Sequence, residues 1–308
     1  VARFIDDIRR VGRFVMPRVI AEGKRQKWAQ HAVRLFDFIR GGCGEVPVLL
    51  IDNVAEYYYS ANDQEYWDLT KDFPNLAPPF PLFWVEHRFP KRIHSKEGDT
   101  DVAAITPNGR VGALIFGSPI EGVRGDNIPD GAKWVIVSEL FLDYGIRRDD
   151  IQGPHGSISF AIDAEGRLID RPFMQSFAAP EDEEIMRHFM GWMHPALLAI
   201  SFLHCRNVSV IDNPVPVKLA KKFAAKNGFQ PAAHKTLVIE PLKAILRSEG
   251  KSDEIGVARA MHICRGHFRD YREGPGLFGK YHQLVWTPSV VRGTRGKKPA
   301  EREIEVRL

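Results

Sequence analysis

Apolar residues at Phe4, Ile5, Ile8, Val11 and Val15 recur near the helical period of about 3.6 residues. A second set, Trp28, Ala32, Leu35, Phe36 and Ile39, repeats that pattern from about Lys27 to Arg40. Pro17 interrupts the first set, and Gly41-Gly42 closes the second in the manner of a helix C-cap. The spacing predicts N-terminal helices over residues 1–40, with an outer face made basic by Arg9, Arg10, Arg13, Arg18, Lys24, Arg25 and Lys27. Val48-Ile51, just after Pro47, reads as a short strand. Tyr57-Tyr58-Tyr59 and Tyr66-Trp67 read as core or interface aromatics. The prolines between Phe73 and Pro90 forbid a helix there and predict an extended loop running into a strand at Leu82-Phe89.

Farther along, the period shortens to two. Asp101-Thr106 and Arg110-Phe116 flank Pro107-Asn108-Gly109, which predicts a hairpin, and Trp134-Leu142 predicts a third strand. Ser157-Ile162 and Arg167-Ile169 flank Asp163-Ala164-Glu165-Gly166, a four-residue loop with glycine where a left-handed residue is needed. Such short turns join antiparallel strands, because parallel pairs need long crossovers. The acidic run at 181–184 predicts the start of a helix reaching about Cys205, divided at Pro195. Val217-Asn227 predicts a basic helix carrying Lys218, Lys221, Lys222 and Lys226, closed by Asn227-Gly228. The fold class expected is α+β: N-terminal helices, a central antiparallel sheet and a smaller basic α/β C-terminal part. The division falls into residues 1–213 and 214–308, the second packing either separately or as one domain with the core.

Charge changes this picture more than composition does. The net charge of +4 is composed of +6 over residues 1–40, −12 over 41–215 and +10 over 216–308. That segregation points to a polyanionic partner such as DNA or RNA, or to basic ends that meet acidic middles within a homo-oligomer. No apolar run is long enough for a transmembrane helix, and no secretory leader pattern opens the sequence, so no membrane association is expected. Three cysteines, Cys43, Cys205 and Cys264, suggest a reducing compartment rather than a disulfide framework.

The chemistry-bearing motifs are weak ones. Gly274-Pro275-Gly276-Leu277-Phe278-Gly279-Lys280 contains G-x-G-x-x-G, but a charged stretch precedes it and a strand-like one follows. A phosphate loop needs the reverse context, so a glycine-rich turn between strands is expected and no nucleotide cofactor. His262, Cys264 and His267, with His204-Cys205, lack zinc-ligand spacing, and no metal is expected. A thiolate at Cys205 or Cys264, activated by Arg206 or Arg265, is a further reading. His155, in Gly153-Pro154-His155-Gly156, is expected in a tight turn. Asp143, Asp149, Asp150 and Asp163 form no metal-nuclease spacing. The densest cluster interleaves Arg265, His267, Phe268, Arg269, Tyr271, Tyr281 and Trp286 with Arg292, Arg295, Lys297 and Lys298. Cations suit phosphates and aromatic rings suit bases.

Arg265-Gly266-His267-Phe268, Tyr271, Leu277-Phe278-Gly279-Lys280, Trp286, Pro288 and Arg292-Gly293 resemble a signature of a bacteriophage and prophage protein family that has no assigned activity. Phe202-Leu203-His204-Cys205-Arg206-Asn207-Val208 resembles a second block of the same family. The resemblance implies a phage-related origin and a setting in the host cytoplasm or the virion, with no catalytic residues. The expected function is nucleic-acid contact through Lys218, Lys221, Lys222, Lys226, Arg265, Arg269, Tyr271, Arg292, Arg295, Lys297 and Lys298, with Phe268, Tyr281 and Trp286 as further stacking residues. The alternatives are an assembly component that contacts phage proteins and an enzyme acting on nucleic acid, centred on His267 with Arg265.

Overall fold

A computed structural model describes residues 3–10, 27–42, 46–60, 71–89, 93–95, 98–100, 109–122, 128–143, 151–169, 173–176, 183–239, 262–264, 267–276, 282–287 and 290–292. The N-terminal periodicity folds as helix α1 (residues 4–10) and helix α2 (Lys27–Gly42). Strand β1 (Val48–Leu50) leads through helix α3 (Asp52–Ser60) and the proline-rich loop into β2 (Leu82–Arg88). A small ribbon, β3 (Ile93–Ser95) and β4 (Gly98–Thr100), precedes the meander. The meander comprises β5 (Arg110–Pro119), β6 (Trp134–Asp143), β7 (Ile151–Ile162) and β8 (Phe173–Ser176). Helix α4 (Glu183–Leu203), β9 (Val208–Asn213), α5 (Val217–Asn227) and β10 (His234–Ile239) follow. The last described elements are β11 (His262–Cys264), β12 (His267–Asp270), β13 (Leu284–Thr287) and β14 (Val290–Arg292), paired as β11 with β14 and β12 with β13.

The fold is α+β, built on one eight-stranded sheet in the order β8-β7-β6-β5-β2-β1-β10-β9. The meander half is antiparallel, as the short turns require. The other half is mixed: β1 runs parallel to both β2 and β10, and β10 pairs antiparallel with β9. The helical crossover through α3 is what permits the parallel β1–β2 pair. Strand β10, from the basic C-terminal region, therefore lies inside the central sheet.

Alternation along the strands sends side chains to two separate cores. Phe83, Val85, Ile115, Ile136 and Leu140 pack with Tyr58 and Tyr59 of α3 and Met193, Leu197 and Phe202 of α4. Trp84, Leu114 and Phe141 point the other way, onto Phe4, Ile5 and Ile8 of α1 and Leu35, Phe36 and Ile39 of α2. Burying each such large side chain contributes about 1.5–3 kcal/mol. Residues 196–202 of α4 are buried without interruption between the sheet and α3, with Trp286 and Phe268 of the β12–β13 hairpin closing over Phe202 at the end of the helix.

Three expectations are corrected by this arrangement. Asp101-Thr106 lies outside the described residues, but both edges of β5 are taken by β2 and β6, so Arg110-Phe116 is no hairpin partner for it. Pro195 does not divide α4, which runs through it. Proline releases the carbonyl four residues earlier, and that carbonyl, on Gly191, accepts a long hydrogen bond from Tyr59 Oη at 3.5 Å. His155 belongs to no tight turn: Gly153-Pro154-His155-Gly156 lies within β7, where the β6 register slips between Leu140 and Leu142. A bulge of this kind accommodates a proline that cannot donate to the ladder.

Candidate nucleic-acid interface

Helix α5 forms over the residues its sequence predicts. Its end is set by Gly228, whose φ of 78° is left-handed and whose N–H donates to Ala224 O at 2.8 Å. None of its residues is buried. Lys218, Lys221, Lys222 and Lys226 are all exposed, and among the described residues none of them has an ion-pair or hydrogen-bond partner. Spacing of about 1.5 Å per residue places Lys218 and Lys226 about 12 Å apart along the axis.

One face of α5 forms a wall of a cleft of about 830 Å³. Alternation puts Glu86 and Arg88 of β2, Arg110 of β5, Asp143 of β6 and His234 of β10 on the α1 side of the sheet, where they form the floor. Helix α1, through Asp6, Asp7 and Arg10, and Arg3 just before it supply the opposite wall. It is fixed to the segment after α5: Asp6 Oδ1 accepts from Ala232 N at 3.0 Å, Arg9 Nη1 donates to Gln230 O at 3.1 Å, and Arg3 Nη2 lies 3.0 Å from His234 Nε2.

The carboxylates of the cleft are engaged internally. Arg110 binds Asp143 Oδ2 through Nε at 3.0 Å and Nη2 at 2.5 Å, binds Asp7 Oδ2 through Nη1 at 2.8 Å, and lies 4.7 Å from the centre of the Phe4 ring. Asp7 also accepts from Arg10 at 3.2 Å. Glu86 is buried and accepts from Trp84 Nε1 at 2.8 Å and Ile5 N at 3.3 Å. Burial pushes its carboxyl above the usual range, against the lowering effect of those hydrogen bonds, and raises Asp6 in the same way. The lining holds six Lys and Arg side chains against four Asp and Glu. The acids are paired or pushed toward neutrality, whereas among the described residues Arg88, Lys222 and Lys226 have no ion-pair partner and the Arg3 side chain meets only His234. An anion is the ligand this arrangement favours.

The chain matches no protein-family model, no curated protein and no solved structure.

The other predicted residues lie elsewhere. Strands β12 and β13 pack on α4, on the opposite face of the sheet from the cleft, so among the described residues the basic-aromatic cluster and α5 form no common surface. Trp286 is 3% exposed, wedged against Phe202 at 4.8 Å and Phe268 at 4.6 Å between ring centres, and it is no stacking platform for bases. Phe268 is half-buried in the same cluster. Its alternation with Arg269 reflects a strand with one face on a core. His267 is exposed, with Arg269 Nε donating to its Nε2 at 3.1 Å, and Arg269 Nη1 reaches the Tyr271 hydroxyl at 3.4 Å. Arg265, Tyr281, Arg295, Lys297 and Lys298 lie outside the described residues, and of Arg292 only the backbone position in β14 is described.

The two sequence blocks, 202–208 and 265–293, meet in space. Asn207 Nδ2 donates to Trp286 O at 2.8 Å, Trp286 N donates back to Asn207 Oδ1 at 3.0 Å, and Arg206 N donates to Leu284 O at 3.1 Å. Aromatic packing and backbone capture join them. His204 Nε2 instead lies 2.8 Å from Ala77 O, and burial lowers its pKa. Burial pushes the Cys205 thiol up to about 12, which removes it as a thiolate nucleophile. Among the described residues no three His, Cys, Asp or Glu side chains cluster as metal ligands. The glycine-rich segment joins the antiparallel strands β12 and β13, with Gly274 and Gly276 at φ of 79° and 75°, which is not the strand-to-helix setting of a phosphate loop. Among the described residues no helix is long and apolar enough to cross a membrane.

Sequence reasoning found α5 from its lysines and missed the cleft. Asp6, Asp7, Glu86 and Arg110 carry no motif. The available signal was Glu86 inside the apolar run Leu82-Phe89, a charge that must find partners when its strand is buried.

Proposed function

We propose that this protein binds nucleic acid through the lysine face of α5, without reading its sequence. The observation that carries the reading is the set of four exposed lysines, without ionic partners among the described residues, on a helix that buries none of its residues. A DNA strand carries one phosphate per about 3.4 Å, so the 12 Å from Lys218 to Lys226 matches about three to four phosphates. The C-terminal resemblance supports a phage-related origin and a host-cytoplasmic or virion setting.

The test is binding to labelled single- and double-stranded DNA and RNA across a salt series. Log affinity is expected to fall linearly with log salt, with a slope of about −0.7 to −0.9 per neutralised phosphate. Changing Lys218, Lys221, Lys222 and Lys226 together to Ala is expected to flatten that slope by about three. Absence of binding at low salt overturns the proposal.

Edge strand β9 favours a second reading, assembly with further copies or with phage proteins. Val210 and Ile211 on it are 42% and 47% exposed, and among the described residues no strand pairs with its outer edge. A concentration-dependent oligomer that Ile211→Lys dissociates would support assembly, and a monomer at all concentrations removes self-assembly.

A further inference from the structure

We propose that the cleft between α1 and α5 receives an unpaired base of a single-stranded nucleic acid while the α5 lysines hold the adjoining phosphates. The inference rests on the reading of α5 given above and adds the kind of nucleic acid.

Size comes first. A cleft of about 830 Å³ falls within the roughly 300–1,000 Å³ range of small-ligand sites. That is room for a base and its sugar. A base inside a duplex reaches such a site only after being pulled from the stack, whereas one in a single strand is already available.

The wall of the cleft is of the right chemistry. Leu219 and Phe223 stand one helical turn apart on the cleft-lining side of α5. Leu219 is 56% exposed, an apolar side chain left open beside the charged groups of the site. The Phe223 ring is held before any ligand arrives. Phe229 meets it edge-on at 5.5 Å and 74°, and the Arg9 guanidinium lies over Phe229 at 4.1 Å. A positioned ring beside an open aliphatic side chain suits the flat face of any base, and stacking of this kind tolerates every sequence.

The charges are arranged to match. Lys222 and Lys226 stand one helical turn apart, and both line the cleft together with Phe223. Phosphates at the rim and a base within is the geometry of a single strand laid along a helix. The carboxylates of the cleft do not oppose it, since Arg110 holds Asp143 and Asp7, Arg10 also holds Asp7, backbone amides hold Asp6, and Glu86 is buried against Trp84 Nε1 and Ile5 N.

The experiment compares a fluorescein-labelled 12-residue oligothymidylate with a 12-base-pair duplex, using the full chain. The wild type is expected to bind the single strand more tightly. Leu219→Ala and Phe223→Ala are each expected to weaken single-strand binding by roughly tenfold and to leave duplex binding unchanged. Leu219→Glu, at a position exposed enough to leave folding intact, is expected to abolish the single-strand preference and covers the case in which Phe223→Ala does not fold. If the Leu219 variants leave single-strand affinity unchanged while the four-lysine variant loses it, the base-binding inference fails and the α5 reading stands. Equal affinity of the wild type for both probes also overturns the inference. No binding of either probe at low salt removes the α5 reading itself.

Discussion

Gly112→Ala tests the packing beneath the cleft. Gly112 lies opposite Glu86 in the β2–β5 register. A Cβ added there would stand 2.2 Å from Trp84 Cζ2, 2.7 Å from Trp84 Cη2 and 2.8 Å from Phe4 Cδ1. Carbon atoms in contact sit about 3.5–4.0 Å apart, so the indole would need to move by more than 1 Å, roughly. Trp84 is fully buried and has nowhere to go: Phe4 stands 6.0 Å from it and Phe141 5.5 Å, measured between ring centres. Its Nε1 also donates to the buried Glu86 carboxyl. Overpacking costs about 1–3 kcal/mol. Loosening a hydrogen bond to a buried carboxyl costs about 1–3 kcal/mol more. The expected loss is about 3 kcal/mol, read as a lower urea midpoint at constant slope by far-ultraviolet circular dichroism. Trp84→Phe removes the ring that clashes, so the double variant is expected to be more stable than the two single losses added together, by about 1 kcal/mol or more. A Gly112→Ala protein within about 0.5 kcal/mol of wild type, or strict additivity in the double variant, would refute the reasoning.

Three further outcomes follow from buried groups. His194 is buried with Nδ1 2.8 Å from the Tyr58 hydroxyl, and burial lowers its pKa from 6.5 to about 4. As pH falls the unfolded chain takes up that proton first, so stability is intact above about pH 6.5 and is lost toward pH 4, by about 3 kcal/mol; His194→Gln should lose that much less between urea melts at pH 7 and pH 4. Burial raises the Glu86 carboxyl above its ordinary 4.5, so the folded state retains a proton that the unfolded chain releases, and stability falls as pH rises past 4.5. Glu86→Gln should gain on wild type over that rise in matched melts, and an unchanged difference would show that Glu86 does not titrate differently on folding. With Cys43 and Cys264 changed to Ser, Cys205 is expected to resist a thiol-reactive dye at pH 8 in the native protein and to react within minutes in urea, and fast native labelling would contradict its burial.

Elements governed by local chemistry were legible in the sequence. Helix α5 follows from its lysine face and from Gly228, and the β7 turn follows from Asp163 through Gly166, where Gly166 has a φ of 83°. Elements governed by distant contacts were not. Nothing in Val48-Ile51 tells that its neighbours are Trp84-Glu86 on one side and Lys235-Thr236 on the other. The carbonyl that Pro195 leaves free in α4 is met by Tyr59, a residue well over a hundred positions away. Trp286 looked available because strand alternation places cations beside aromatics whether or not the aromatics are buried. Half of the candidate site was readable for the same reason: its lysine wall is one helix, whereas its floor gathers one or two residues from each of four strands.

The parallel seam at β1 has a consequence for how the molecule comes into being. Leu49 pairs with Lys235, a residue made long after it as the chain leaves the ribosome. While the meander is being synthesised, one edge of β1 stays open, and α1 lacks Ala232 and His234, the groups that Asp6 and Arg3 meet. Pairings of such separation form late and slowly. The meander core is thus available early in translation, and the cleft is completed only when β10 closes against β1. A chain stopped short of His234 would keep most of its hydrophobic interior and the whole of α5, but would lack the β1–β10 pairing that closes the floor of the cleft.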